Sequence, residues 1–172
     1  MKPSIKRPPQ FRLAGQDGPR VTLASDAGFE VDVFVLEPDI VRVLHRPPGG
    51  LRGPRTWAIA PGAEDVADEG RERLDASGFS HPAFTLEETD NRLVIATERL
   101  RLSVRLHGLA CKWEMHDGEG WRVIVRDRPT QAYNSPGGAK ASPTTWCVTQ
   151  PSATSAWASG PASWTGRAAG SG

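Results

Sequence analysis

Phe84-Thr85-Leu86-Glu87, the turn Thr89-Asp90-Asn91, Leu93-Val94-Ile95-Ala96-Thr97 and Leu100-Arg101-Leu102-Ser103-Val104-Arg105-Leu106 read as successive β-strands. The last of them steps strictly apolar, polar, apolar, the period of a chain whose side chains point alternately to two faces of a sheet. His107-Gly108 breaks the pattern. Leu109-Ala110-Cys111-Lys112-Trp113-Glu114-Met115 then leads through His116-Asp117-Gly118-Glu119-Gly120, a run of turn formers, into Trp121-Arg122-Val123-Ile124-Val125-Arg126-Asp127. Short strands joined by short turns predict an antiparallel meander with one face buried.

The same pattern extends toward the N-terminus. Phe11 and Leu13 flank Arg12, Gly15 to Gly18 turns the chain, and Val21-Thr22-Leu23 follows as a strand. Phe29, Val31, Val33 and Val35 share one face of Phe29–Leu36, which pairs as a hairpin with Asp39–Leu44 across Glu37-Pro38-Asp39. The segment Arg46–Arg55 carries three prolines and three glycines and is expected as a loop with solvated arginines. Ala63–Ser77 is dense in charge, with Val66 and Leu74 its only sizeable apolar residues, and is expected as a solvated insertion, a charged loop or a short surface helix.

Composition bounds the function. A chain of 172 residues suits one domain with a real core. Lys plus Arg number 21 against 20 for Asp plus Glu, so the charge balance gives no basis for nucleic acid or an anionic membrane as partner. Residues 1–9 form a Pro-containing lead-in without the apolar stretch of a secretory leader, no run is long enough to span a bilayer, and the expected location is cytoplasmic. Cys111 and Cys147 are too few for a disulfide framework or a zinc site, and Cys111 is expected as a buried thiol. His45, His81, His107 and His116 lack metal-ligand spacing, so no metal and no cofactor is expected.

The strand order, the Trp57-Ala58-Ile59-Ala60 run, the Phe84-Thr85 strand, Leu93–Thr97 followed by a Leu-x-Leu-x-Val strand, and Asp127-Arg128-Pro129-Thr130-Gln131-Ala132-Tyr133 together resemble the N-terminal domain of glycoside hydrolase family 31. That family comprises the α-glucosidases and α-xylosidases. The resemblance covers residues 10–134 and implies an all-β, antiparallel β-sandwich similar to galactose mutarotase. It further implies a catalytic (β/α)₈ barrel as intramolecular partner, with carbohydrate as the substrate of the full-length parent. In such retaining enzymes two Asp residues of the barrel act as nucleophile and general acid/base, held about 5 to 5.5 Å apart. Asp117 and Glu119 are the close acidic pair of the turns here, and the form His-Asp-Gly-Glu-Gly assigns them to turn chemistry, so no catalytic residue is expected.

A second reading comes from another class: a free-standing sugar-binding or mutarotase-like sandwich. In it Trp113 and Trp121 stack on a pyranose, and His107 or His116 moves protons with Glu114.

Residues 135–172 contain no Asp, Glu, Leu, Ile or Phe, yet hold Trp146, Trp157 and Trp164, three of the six tryptophans. Such a composition cannot build a core and is expected as a disordered tail. One explanation is a change of reading frame near Ser135 to Lys140. Joining the last base of each codon to the first two of the next forces valine at Trp146-Cys147 and glycine at Trp157-Ala158. Permitted choices elsewhere give V-R-D-P-A-E-R-Y-F-G-L-G-E-R, and Y-F-G-L-G-E-R is similar to the segment that follows Ala-Tyr in the family. The other explanation is a genuine low-complexity tail.

Overall fold

The computed structural model describes residues 8–51, 53–61 and 68–128, together with the backbone of Thr145–Val148. The described residues fold as an antiparallel β-sandwich. One sheet comprises β1 (Phe11–Asp17), β2 (Arg20–Ser25), β3 (Glu30–Glu37) and β4 (Ile40–Arg46). A ribbon of β5 (Arg55–Thr56) and β6 (Arg71–Glu72) interrupts the order. The second sheet is the meander β7 (Thr85–Thr89), β8 (Arg92–Ala96), β9 (Leu100–Arg105), β10 (Ala110–His116) and β11 (Trp121–Arg126). Every neighbouring pair in the meander is consecutive in sequence, as short turns dictate.

Alternation decides the core. Leu100, Leu102 and Val104 of β9 and Cys111, Trp113 and Met115 of β10 point inward to meet Val31, Val33, Val35, Val41 and Val43 of the first sheet. Cys111 is buried with a reduced thiol. Gly118 turns β10 into β11 at φ 98°, a conformation a Cβ disfavours.

Within the first sheet, β3 and β4 are buried on both faces. Phe34, Leu36 and Leu44, on the side away from the meander, pack with Ile59 and Phe79 into a second apolar cluster, joined by Ile40, Leu51 and Ala76. The connection between β4 and β7 therefore forms a third layer, where the sequence predicts solvated loops. Ala63–Ala67 of the expected charged insertion lie outside the described residues, while Arg71–Glu72 is a strand and Ala76 joins the cluster. The arginines of this layer differ from the expectation for a physical reason. Irregular backbone has carbonyls without ladder partners, and the guanidinium fork supplies donors. Arg55 donates to the Glu69 and Gly70 carbonyls, Arg73 to that of Gly53, and Arg46 is bound by Asp32.

Of residues 135–172, the structure describes only β12 (Thr145–Val148), whose backbone pairs antiparallel with β4, Trp146 opposite Val43. Backbone pairing is independent of side-chain composition, and β4 would otherwise end its sheet with an open ladder. The remainder of the expected disordered tail lies outside the described residues.

Candidate functional site

The outer face of the meander carries Glu114, His116 and Trp121, three of the side chains considered for sugar chemistry. Because Leu100, Leu102, Cys111, Trp113 and Met115 face inward, the residues between them, Arg101, Lys112 and Glu114, face out. Register places Glu114 opposite Arg101, and His116 opposite Trp121. Arg101 binds Glu114 through two contacts of 2.9 Å, one to each carboxylate oxygen, and Lys112 Nζ lies 2.9 Å from Oε2. The Arg101 hydrogen bond, aided by Lys112 and opposed by burial, holds the Glu114 carboxyl below its ordinary range. The same guanidinium lies 4.6 Å from the Trp121 ring centroid, and His116 meets that ring edge-on at 5.2 Å.

This geometry separates the residues that the mutarotase-like reading would unite. Trp113 is 3% exposed and belongs to the core, so it offers no face to a sugar. Its phase with Cys111 and Met115 was the signal in sequence. Trp121 already has Arg101 over its ring. Glu114 is 5% exposed, ionised at neutral pH and held by two cations, which suits an anchor and opposes a proton donor. His107 pairs with Gln10 at the opposite end of the sheet, beyond Arg105. Arg105 itself stands roughly 13 Å along β9 from Arg101. His116 alone is close to Glu114 in sequence and face, and its Nδ1 accepts from the Gly118 amide at 3.2 Å.

Asp117 and Glu119 form the turn. Asp117 Oδ1 accepts from the amides of Glu119 at 3.1 Å and Gly120 at 3.0 Å, and these bonds lower its pKa. Stabilising the charged carboxylate in this way disfavours a general acid. His81 binds the Ala76 carbonyl through Nε2 at 2.7 Å, so it braces the third layer. Burial lowers His45 to a pKa of about 4, against the raising influence of Asp127. Among the described residues no group of three or more His, Cys, Asp or Glu could hold a metal ion.

Two features were not read from sequence. Asp32 is fully buried on the outer face of the first sheet, where it accepts from Arg20 Nε at 2.9 Å, Thr22 Oγ1 at 3.0 Å and Arg46 Nη2 at 3.1 Å. Asp127, at the exit of β11, accepts from the Cys111 amide at 2.8 Å through its side chain and donates to the Cys111 carbonyl at 2.9 Å through its own amide. Both depend on the register between neighbouring strands, which alternation alone does not give.

No protein-family model and no curated protein matches the chain. Among solved structures it is similar to the uncharacterized protein lmo2446 of Listeria monocytogenes EGD-e, solved in complex with alpha-D-glucose, beta-D-glucose, magnesium and calcium. Identity is 15%, TM-score 0.46, and the match covers 73% of this chain and 10% of that one. A cycloalternan-forming enzyme from Listeria monocytogenes, in complex with a pentasaccharide substrate, matches with the same identity, TM-score and coverage. The chain thus spans about a tenth of the length of these structures.

Proposed function

We propose that this chain is the N-terminal, non-catalytic β-sandwich of an α-glucosidase-like glycoside hydrolase resembling family 31. Hydrolysis of O-glycosyl bonds then belongs to a full-length parent, in which a catalytic barrel is the sandwich's intramolecular partner, and the setting is cytoplasmic. The observation that carries the reading is the junction at Asp127. The motif beginning Asp127-Arg128-Pro129 starts where the meander ends, and its first residue is tied by two hydrogen bonds to Cys111 in the neighbouring strand. The tie extends the β10–β11 pairing to the first residue of the motif, so the motif opens anchored to the sandwich, as a segment belonging to the same domain would. The salt-bridged Glu114 and the turn-bound Asp117 further support a scaffold role over catalysis.

The test is to read and express the coding sequence in the frame that encodes Y-F-G-L-G-E-R. Expected are a downstream barrel and hydrolysis of 4-nitrophenyl α-glucoside by the restored protein, with none by the 172-residue chain. A stop codon without a barrel, or turnover by the short chain that disappears in Asp117→Asn or Glu119→Gln, overturns the proposal.

A further inference from the structure

The β5–β6 ribbon presents two different sides. Toward the protein, Thr56 is buried and the Arg71 guanidinium lies 5.4 Å from the Phe79 ring centroid, over the second apolar cluster. Toward solvent, Trp57 is 62% exposed, more than any other large apolar side chain among the described residues. It is nevertheless held in place. Its Nε1 donates to the Asp68 carbonyl at 3.0 Å, and its ring rests on Gly70, where an added Cβ would stand 2.9 Å from Cε2 and 3.2 Å from Cδ2. Gly70 has φ +70°, so both its conformation and the overlying ring call for glycine. Arg55 reaches over the same stretch to the Glu69 and Gly70 carbonyls, and its Nη1 pairs with Glu72 Oε1 at 3.3 Å.

We propose that Trp57, flanked by Arg55 and Glu72, is a stacking platform for a neutral sugar ring. This rests on the carbohydrate reading above and extends it to a binding site. An indole with one side on a glycine and the rest in water loses little freedom on receiving a flat ligand. The apolar C–H face of a pyranose fits that surface, and the hydroxyls at its rim need both donors and acceptors. Arg55 supplies the first and Glu72 the second. Their charges offset each other, which favours a neutral ligand over an anionic one. Among the described residues the ring lies on Gly70 and its Nε1 is held by the Asp68 carbonyl, which leaves its other face to a ligand.

Frontal affinity chromatography on the immobilised full chain tests this, with maltotetraose and cellotetraose as probes. Weak retention of at least one sugar is expected. Trp57→Ala should reduce it about tenfold or more, and Trp57→Phe should keep it within a few fold. Gly70→Ala, which leaves the indole present but unseats it, should weaken retention as well. Circular dichroism establishes that each variant is folded, and Gly70→Ala keeps the test decisive should Trp57→Ala unfold, since undiminished retention by folded Gly70→Ala would then overturn the inference. Absence of retention of either sugar by the wild-type chain, or equal retention by folded Trp57→Ala, overturns the inference. Either result is separable from the fate of the parent-enzyme reading, which turns on the downstream barrel and its hydrolysis.

Discussion

Arg101 grips Glu114 with its Nε and Nη2, each 2.9 Å from a different carboxylate oxygen, in the middle of the meander's outer face. A planar fork meeting a carboxylate in this way is among the stronger hydrogen-bonded pairs, and here the acid is nearly inaccessible while Arg101 is partly hydrated. Glu114→Gln should therefore lower stability by about 1 to 2 kcal/mol at neutral pH. The Arg101 hydrogen bond holds the folded-state pKa below the ordinary glutamate value of 4.5. The contribution is thus fully present above that value and is lost as pH falls through the folded pKa. Urea titrations of both proteins should converge in acid; a constant difference across that range would contradict the assignment.

Asp32→Asn should be more damaging. Its carboxylate is wholly buried and joins Arg20, Thr22 and Arg46 across β2, β3 and β4. An amide retains the shape, but removing the charge leaves two cations without their shared counterion. Both arginines retain some exposure, 29% and 21%, which limits the loss to about 2 to 3 kcal/mol. Equilibrium urea unfolding measures it, and a loss under about 0.5 kcal/mol would place the cluster among interactions of no net consequence.

His45 gives the fold an acid sensitivity of its own. Burial lowers its pKa from 6.5 to about 4, so the folded protein resists a proton that the unfolded chain accepts. Stability should be complete above 6.5 and should fall as pH drops from there toward 4, by a total of about 3 kcal/mol. His45→Gln should flatten this part of the profile. An unchanged slope in the variant would assign the acid sensitivity elsewhere.

The β11 edge should govern solution behaviour. Val123, Ile124 and Val125 are 44%, 37% and 44% exposed on a strand whose other ladder is open among the described residues. Exposed apolar edges template association, whereas β7, the opposite edge, carries Glu87 and Glu88. The wild-type chain should elute from size exclusion as aggregates and bind a hydrophobic dye. Val123→Lys with Val125→Lys should shift it toward monomer. A monodisperse wild-type protein would instead favour the free-standing sandwich.

The sequence carried the meander well because its cues are local: alternation and turn residues act within ten positions. The third layer was illegible for the opposite reason. Phe34, Leu36 and Leu44 look like solvent-side positions opposite a valine face, and their cover comes from Ile59 and Phe79 beyond a Pro-rich and Gly-rich connection. Loop composition says where backbone turns, and it is silent about which side chains then fold back. In the candidate site, alternation could place Trp113 inside and Glu114 outside. It could not show that Arg101 would occupy both Glu114 and Trp121, since that follows from register between strands.

Burial of β3 on both sides alters what keeps it aligned during folding. A strand with one wet face is aligned by the cost of turning its apolar side outward. Val31-Asp32-Val33-Phe34-Val35-Leu36 is apolar on both faces, so a shift by one position would still bury hydrocarbon almost everywhere. Asp32 removes that tolerance. The shifted strand would drive a carboxylate between the sheets, among Leu23, Val43 and Leu102, away from Arg20 and Arg46. A residue that looks like an interruption of the hydrophobic run thereby acts as an indexing mark, selecting one alignment of the hairpin from neighbours that hydrophobicity alone would scarcely distinguish.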